Sequence, residues 1–409
     1  MPDDYDDRSG PVAVGPPRGK MSRLERVRAK RNRNRRRAIG AGAAALLVVI
    51  VIAAVYLGAK LFSGDSGYSG EGKDDVVIQV HDGDSTTQIG QTLRDKNVIS
   101  NIKGFVEAAK NNDAIAAIQP GYYTVRTEMS ASAAVDRLAD PHNRVGKLVI
   151  PEGRQLDDIA EVGSGKVTDG IFTLISKSTC VPANGQQKCV SAEDLRRVAE
   201  QAPPAQLNVP EWATQPVIAL GKNHRRLEGL IAPGTWNVDP AASPQEIVAK
   251  LVGQSAEDYV SVGLLDTAAA MRMSPYQILI VGSLVQREAK PHDFAKVARV
   301  IYNRLAVPQK LEFDSTVNYP LDRQEVATTD ADRAQVTPWN TYAMEGLPAT
   351  PICSPGQDAL AAAERPEPGD WLYFVTVDTE GTTLFTRDYQ QHLANIELAK
   401  RNGVLDSAR

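Results

Sequence analysis

An α+β fold is predicted for this 409-residue chain, with a single N-terminal transmembrane helix, a small β-α-α-β module and a larger α+β domain. Three observations predict it. One uncharged run near the N-terminus is long enough to cross a membrane, a strand-helix-helix-strand pattern follows, and the remainder mixes helical periodicity with short strands. Because strands and helices do not alternate regularly, a parallel βαβ repeat is not predicted.

The transmembrane helix is predicted at residues 38–59, a run of 22 residues without a charged side chain. The basic segment RVRAKRNRNRRR precedes it directly, and residues 1–59 hold twelve Lys and Arg against five Asp and Glu. Because positive flanks stay on the cytoplasmic side, we expect the chain after the helix to lie outside the membrane. A cleaved signal peptide is the alternative, but both the run and its leader are longer than is usual for one.

The segments flanking this helix are predicted to be unstructured. Residues 1–37 begin with acidic and Pro/Gly-rich sequence and end in the basic block, which is typical of a disordered cytoplasmic tail. Residues 60–75 read as a Gly/Ser/Asp linker. The chain carries a net charge of −4 and residues 60–409 carry −11. Nucleic acid is therefore not expected as a partner, since phosphate binding needs a basic face on the folded domain.

The small module is predicted at residues 76–145. VVIQV reads as a strand, TQIGQTLRDKNVI and NIKGFVEAAKNN as two short amphipathic helices, and GYYTV as a second strand. ASAAVDRLAD adds another helix. No cluster of reactive side chains occurs in this stretch of sequence.

The larger domain is predicted at residues 146–409, and it opens with the strand and turn KLVIPEG. Residues 163–215 look less regular, so we interpret them as an insertion or a mobile surface region. Cys180 and Cys189 lie in that stretch and can close a short disulfide loop in an oxidising exterior, the alternative being two unpaired thiols. Cys353 is interpreted as a small buried apolar residue.

Residues 274–290, SPYQILIVGSLVQREAK, predict a helix that ends in a carboxylic acid. Ser274 can cap it, Pro275 suits the first helical position, and Pro291 lies just beyond its end. Glu288 falls on the apolar face, where partial burial and the negative helix terminus both disfavour its ionised form. That environment suits a general acid. From this stretch alone, a solvated glutamate at a fraying helix end is the favoured alternative.

The remaining sequence predicts further helices and strands around polar loops. DFAKVARVIYNRL and DALAAAERP read as helices, WLYFVTV and TTLFT as strands, and RDYQQHLANIELAKRNG as a closing helix. LEGLIAPGTWNV and residues 337–356 are predicted as loops, and LEFDSTVNYPL is predicted as a loop or short strands. Metal-ligand spacings, glycine-rich phosphate loops and a nucleophile elbow are not found, so we expect no metal or cofactor.

Several segments in this order resemble one known family. They are LVQRE ending at Glu288, LEG-x-x-x-P-x-T-W from Leu227, FDSTV from Phe313, NTY-x-x-x-GLP from Asn340, and Phe385 with His392 near the C-terminus. In order and spacing the chain resembles the MltG/YceG-like endolytic murein transglycosylases, from about residue 76 to the C-terminus. Gln286 departs from the family pattern, which has a second glutamate there.

The resemblance implies a LysM-like small module and a catalytic role for Glu288. Asn340, Tyr342 and Asp314 are candidates to bind acetamido groups or to stabilise the charged transition state. Thr316 is a further substrate-binding candidate, and Glu228 is a candidate for contact with the substrate or with the residues that bind it. The alternative for each candidate is a structural role, because Asn and Asp form turns and Tyr packs. His392 is interpreted as structural.

The function implied by the resemblance is cleavage of the MurNAc–GlcNAc bond in nascent peptidoglycan strands. It leaves 1,6-anhydro-MurNAc ends and terminates glycan elongation. The implied partners are glycan strands, the membrane and peptidoglycan synthases. The alternative is a non-catalytic peptidoglycan-binding scaffold of the synthesis machinery. The acidic residue at position 288 favours the enzyme.

Overall fold

The structure is a computed structural model that describes residues 49–53, 67–110, 112–161, 165–183, 186–321, 323–324 and 328–404. Residues 49–53 are helical and are labelled α1. The predicted tail at 1–37, most of the predicted span at 38–59 and part of the linker at 60–75 lie outside the described residues. Among the residues that are described, no helix is long and apolar enough to cross a membrane. The predicted mixture of helices and strands is confirmed.

The small module folds around a three-stranded antiparallel sheet in the order β1-β2-β3. Ser85 begins its first helix with a capping box, and Asn101 caps the second through the Gly104 N–H. The apolar faces of sheet and helices enclose a separate core around Leu93, Phe105 and Val125. Its elements are β1 Asp75–Val80, α2 Thr86–Asp95, α3 Ile102–Ala109, α4 Asp113–Ala116, β2 Gly121–Arg126, α5 Ala131–Ala139 and β3 Arg144–Val145.

The larger domain is mainly helical and has a second core. Short 3-10 turns at Pro204–Leu207, His224–Leu227 and Pro291–Asp293 join several of its helices. The helices are α6 Ile171–Ser178, α7 Ala192–Gln201, α8 Glu211–Ala219, α9 Pro244–Ser261, α10 Leu264–Met271, α11 Pro275–Glu288, α12 Phe294–Leu305, α13 Asp314–Asn318, α14 Asp330–Arg333, α15 Gln357–Glu364 and α16 Tyr389–Arg401.

The described strands of the larger domain form small, separate sheets. Three of these sheets are antiparallel and have two strands each. The fourth sheet has three strands and includes the parallel pair β5–β10. The antiparallel pairs are β4 Lys147–Ile150 with β9 Gly234–Asn237, β7 Val181–Ala183 with β8 Gln186–Lys188, and β11 Tyr373–Thr376 with β12 Thr383–Thr386. The mixed sheet contains β5 Ile159–Glu161, β6 Val167–Thr168 and β10 Arg323–Gln324.

Residues 163–215, interpreted from the sequence as an insertion or a mobile surface region, contain more regular structure than their pattern indicated. This stretch forms α6, α7 and most of α8, and Phe172, Leu195 and Ala213 enter the main core. Helices of eight to ten residues separated by prolines show too few turns for a clear periodic pattern. For the same reason the one-turn helix α13 was expected as a loop or strand. That residues 163–215 are an insertion stays a prediction.

Helix α11 crosses the main core. Ser274 and Gln277 form the predicted capping box, and Tyr276 and every residue from Ile278 to Val285 are buried. Helices α8, α10, α12 and α15 pack around it. Because so little of α11 meets solvent before its last turn, the fold fixes the position of its C-terminal residue, Glu288.

Candidate active site

Glu288 lies at the end of α11, where the chain turns away from the core. Ala289 adopts an extended conformation there, with φ −137°, and the turn Pro291–Asp293 leads into α12. The Glu288 side chain is partly buried. The predicted helix and the predicted carboxyl at its end are therefore both present.

The Glu288 carboxyl has one hydroxyl partner and one negative neighbour. The Ser315 hydroxyl donates a hydrogen bond to Oε1 of Glu288. Burial raises the pKa of Glu288 to about 7, the Ser315 hydrogen bond lowers it, and the Asp314 charge raises it. A carboxylic acid with such a pKa holds its proton close to neutral pH, which is what general acid catalysis requires.

A cleft of about 160 Å³ opens beside this carboxyl. One side is formed by the end of α11 and the start of α12, with Arg287, Glu288 and Lys290. The opposite side is formed by one face of the β11–β12 hairpin, which we call the hairpin wall: Phe374, Thr376 and Thr383. Glu288 thus lies in a polar concavity between two separate elements.

Asp314 and Tyr342 belong to one charged cluster. The Tyr342 hydroxyl donates to Oδ1 of Asp314 at 2.8 Å, and the Thr328 hydroxyl donates to the same atom at 2.8 Å. Arg333 contacts Oδ2 of Asp314 at 3.2 Å and lies 5.1 Å from the centre of the Tyr342 ring. Both Asp314 and Tyr342 are partly exposed. The structure brings these two candidates together, and the charge of Asp314 acts on Glu288.

Thr316 and Asn340 are fully buried, and internal hydrogen bonds engage their polar atoms. The Thr316 hydroxyl donates to the carbonyl of Phe313 at 2.6 Å and lies 2.9 Å from the hydroxyl of Thr341. The Asn340 amide donates to the carbonyl of Arg333 at 3.0 Å and accepts from the Tyr342 N–H at 2.9 Å. These contacts tie α13 to the loop that follows α14. The substrate contacts proposed for Thr316 and Asn340 stay predictions.

Glu228 is buried away from the residues that line the Glu288 cleft. Its Oε2 accepts hydrogen bonds from the Leu156 N–H at 3.2 Å and the Tyr319 hydroxyl at 2.8 Å. In the described part of the chain its Oε1 has no hydrogen-bond partner. Burial raises the pKa of Glu228 to about 8, against the lowering effect of these two hydrogen bonds. The protein therefore buries a second, protonated acid near neutral pH, whose substrate role stays a prediction.

Gln286, the departure from the family pattern, supports a neighbouring loop. Its side-chain oxygen accepts a hydrogen bond from the Gly356 N–H at 2.8 Å, and Gly356 caps α15. The side chain thus fixes the loop that carries the buried Ile352 and Cys353. Gln286 therefore has a structural role, since its side chain binds the backbone of the loop before α15.

The cysteines and His392 lie apart from the cleft. A disulfide joins Cys180 to Cys189 and closes the β7–β8 hairpin, whereas Cys353 is free and buried. The His392 ring stacks on Tyr373 with 5.0 Å between ring centres. Burial raises the pKa of the Cys353 thiol and lowers that of His392. Within the described ranges, no group of three or more His, Cys, Asp or Glu side chains is arranged to hold a metal ion.

Sequence reasoning missed Ser315 and the hairpin wall. Ser315 lies inside the FDSTV segment, but the resemblance directed attention to Asp314 and Thr316 on either side of it. Thr376 and Thr383 occur in segments that were predicted only as strands. Their proximity to Glu288 depends on contacts across about ninety residues of sequence, which no local pattern shows.

Comparisons with known proteins agree with the arrangement of these elements. A model of the YceG-like family matches residues 78–398. An endolytic murein transglycosylase of Bacillus subtilis strain 168 is 26% identical over 325 residues, which cover 79% of this chain and 84% of the relative. That of Streptococcus pneumoniae strain D39 is 26% identical over 336 residues; the match covers 78% of this chain but only 58% of the relative. A crystal structure of a yceG-like protein from Listeria monocytogenes has a TM-score of 0.51 and 26% identity, with 79% of this chain and 99% of that chain covered.

Proposed function

Because the chain belongs to the YceG-like family, we propose that it is a lytic transglycosylase that cleaves peptidoglycan strands internally. The relatives named endolytic murein transglycosylase support this assignment. The observation that carries it is Glu288: a carboxyl with a pKa of about 7, which faces a cleft and has a serine hydroxyl as partner. The proposed bond is the MurNAc–GlcNAc linkage.

Glu288 acts twice in the proposed mechanism. It first donates its proton to the glycosidic oxygen as that bond breaks and the GlcNAc hydroxyl leaves. The resulting carboxylate then takes the proton of the C6 hydroxyl while that oxygen attacks C1 of the same MurNAc residue. The product ends in a 1,6-anhydro ring and Glu288 is protonated again. The attack is intramolecular, so it has the advantage of a high effective concentration.

The surroundings of the other carboxyl groups near Glu288 support this mechanism over hydrolysis. Hydrolysing glycosidases use two carboxylates that flank the scissile bond, one as acid and the other as base or nucleophile. Asp293 also lines the cleft, but it is buried and its Oδ2 lies 3.2 Å from Nε2 of His292. The oxygens of Asp314 are bound by Arg333, Tyr342 and Thr328. Glu228 is buried. A transglycosylase needs no second group because the substrate supplies its own nucleophile.

We also propose that the enzyme is anchored in the cell membrane by residues 38–59, with its N-terminus in the cytoplasm. The uncharged run and its basic flank support this topology. The small module is proposed to be LysM-like and to bind glycan. The proposed substrate is the nascent strand beside the peptidoglycan synthases. Cleavage there would end the elongation of that strand. A reporter enzyme active only outside the cytoplasm, fused after Arg409, tests the topology. Activity of the fusion supports it, and inactivity with a folded fusion contradicts it.

Product analysis tests the proposed reaction. Purified peptidoglycan is incubated with the protein, and the released fragments are analysed by mass spectrometry. We expect fragments that end in 1,6-anhydro-MurNAc and are lighter by one water than reducing fragments of the same composition. Reducing ends alone would show a hydrolase, and the absence of any fragments, with strands bound, would favour the non-catalytic scaffold.

A further inference from the structure

We infer that Thr376 and Thr383 on the hairpin wall form a subsite for an N-acetyl group of the saccharide cleaved at Glu288. This inference rests on the proposed function, because it assigns a ligand to the same cleft. It deepens that function by naming the substituent that the wall recognises and the two side chains that recognise it.

The register of the β11–β12 hairpin places both threonines on the face that lines the cleft. Thr376 pairs directly with Thr383, and Phe374 pairs with Phe385. Because side chains alternate along a strand, these residues share one face, and Tyr373 with Thr386 lies on the other. Phe374, Thr376 and Thr383 line the cleft together with Glu288. The wall therefore presents two hydroxyls next to an aromatic ring.

The two hydroxyls have spare hydrogen-bonding capacity. Their oxygens lie 3.3 Å apart, so one of them donates to the other. Each threonine hydroxyl has one donor and two acceptor positions, so the pair keeps one free donor and several acceptor positions. An acetamido group needs one donor for its carbonyl and one acceptor for its N–H. Its methyl group fits against an apolar surface, which the Phe374 ring supplies.

A contact at the tip of the hairpin holds the wall opposite Glu288. The Lys290 ammonium donates to the carbonyl of Glu380 at 3.0 Å, and Lys290 follows Glu288 by two residues. Gly381, at φ +95°, leaves room for this contact, because a Cβ there would lie 2.0 Å from the Lys290 nitrogen. The wall is thus fixed to the segment that carries the acid, as a subsite requires.

Binding measurements without turnover test the subsite. The Glu288→Gln protein is titrated with soluble glycan strands and with the same strands after chemical de-N-acetylation, by calorimetry. The titrations are repeated after Thr376→Val and Thr383→Val are added together. Valine keeps the branched shape and removes only the hydroxyls. We expect the double change to weaken binding of acetylated strands by about tenfold, the effect of losing two neutral hydrogen bonds, and to leave de-N-acetylated strands almost unaffected.

Thr386→Val is the matched control, because it changes the same hairpin on the face away from the cleft. It should leave both affinities unchanged, and thermal unfolding should show that every variant folds. The subsite would be overturned if the double change weakened binding of acetylated and de-N-acetylated strands equally. It would also be overturned if the double change weakened binding of neither. This result does not depend on catalysis, so the proposed reaction can fail in the product analysis while the subsite stands, and the reverse also holds.

Discussion

At the scale of single residues, the ionisation of Glu288 is set by opposing influences. Burial and the charge of Asp314 favour the protonated acid, whereas the Ser315 hydroxyl and Arg287 favour the carboxylate. An enzyme that uses one group as both acid and base needs a pKa near the working pH, because both forms must be accessible during one turnover. The neighbours of Glu288 produce that balance.

The pH dependence of activity should shift in opposite directions in two variants. The reaction begins with protonated Glu288, so kcat/KM falls as pH rises through the pKa of about 7. Ser315→Ala removes a hydrogen bond that favours the carboxylate, so this fall moves to higher pH. Asp314→Asn removes a charge that favours the acid, so the fall moves to lower pH. Rates of anhydro-product release measured across pH 5 to 9 provide the check.

Ser261→Ala serves as the control for these profiles, because Ser261 is exposed and its hydroxyl bonds only to its own helix. Its profile should match that of the wild type. Shifts of both variants in the same direction would mean that another titrating group sets the profile.

The sequence predicted a helix that ends in Glu288 from local properties, whereas the catalytic role of Glu288 was implied by the order of segments that resembles one family. Capping, apolar periodicity and the terminal carboxyl are all local properties of residues 274–291. Ser315 could not be predicted in the same way, since its partner is 27 residues away on another element. The buried states of Thr316 and Asn340 also depend on packing between α13 and a distant loop.

At the scale of elements, the active cleft depends on the β11–β12 hairpin being held against the end of α11. The sequence predicted both strands from their alternating and aromatic residues, and the structure places them at Tyr373–Thr376 and Thr383–Thr386. It did not predict what the hairpin packs against. The short β9 and the helices α6 to α8 were missed or misread because four to ten residues carry little periodic signal.

Gly381→Ala should remove one contact of the hairpin wall and reduce activity. The new Cβ would meet the Lys290 nitrogen at 2.0 Å, so the flexible Lys290 side chain moves away and its contact with Glu380 is lost. Contacts with α12 and α16 still hold the hairpin. We expect kcat/KM for glycan cleavage to fall about threefold. Steady-state cleavage assays measure the effect.

Gly263→Ala separates this effect from backbone strain. Gly263 has a similar positive φ of +104°, and nothing lies within 4 Å of its added Cβ. Gly263→Ala places an alanine at a positive φ but brings its Cβ into contact with no other atom. The variant should therefore cleave glycan at the rate of the wild type. Equal losses of activity in the two variants would show that strain, and not the position of the hairpin, limits the reaction.

At the scale of the whole molecule, two separate cores divide the described chain into the small module and the larger domain. The pattern of strands and helices in the sequence predicted a small module followed by a larger domain, and the predicted bounds at residues 76–145 and 146–409 stay predictions. The pairing of β4 with β9 joins distant segments of the larger domain and could not be predicted from local pattern.

Global stability should fall as pH rises, because the larger domain buries acids that stay protonated. Glu228 holds its proton in the folded state up to a pKa of about 8, whereas the unfolded chain releases it near the ordinary value of 4.5. Between these values the unfolded state binds fewer protons, so the free energy of unfolding decreases with rising pH. Urea unfolding at pH 5 and pH 8 should show a loss on the order of a few kcal/mol in the wild type.

Glu228→Gln should reduce that loss, since the amide cannot ionise and its oxygen can still accept from Leu156 and Tyr319. Glu288 remains in this variant, so some pH dependence persists. Glu257→Gln, at an exposed position of α9, should behave as the wild type. A Glu228→Gln protein with the full pH dependence of the wild type would argue against a protonated Glu228.

The measurement that tests the central claim most directly is product analysis of the wild type and Glu288→Gln on the same purified peptidoglycan. The variant keeps the size of the side chain and removes the group that donates and accepts the proton. Thermal unfolding confirms that both proteins fold. We predict 1,6-anhydro-MurNAc ends from the wild type and a loss of at least about a thousandfold in their rate of release from the variant. Anhydro products released by Glu288→Gln at a rate close to that of the wild type would contradict the account.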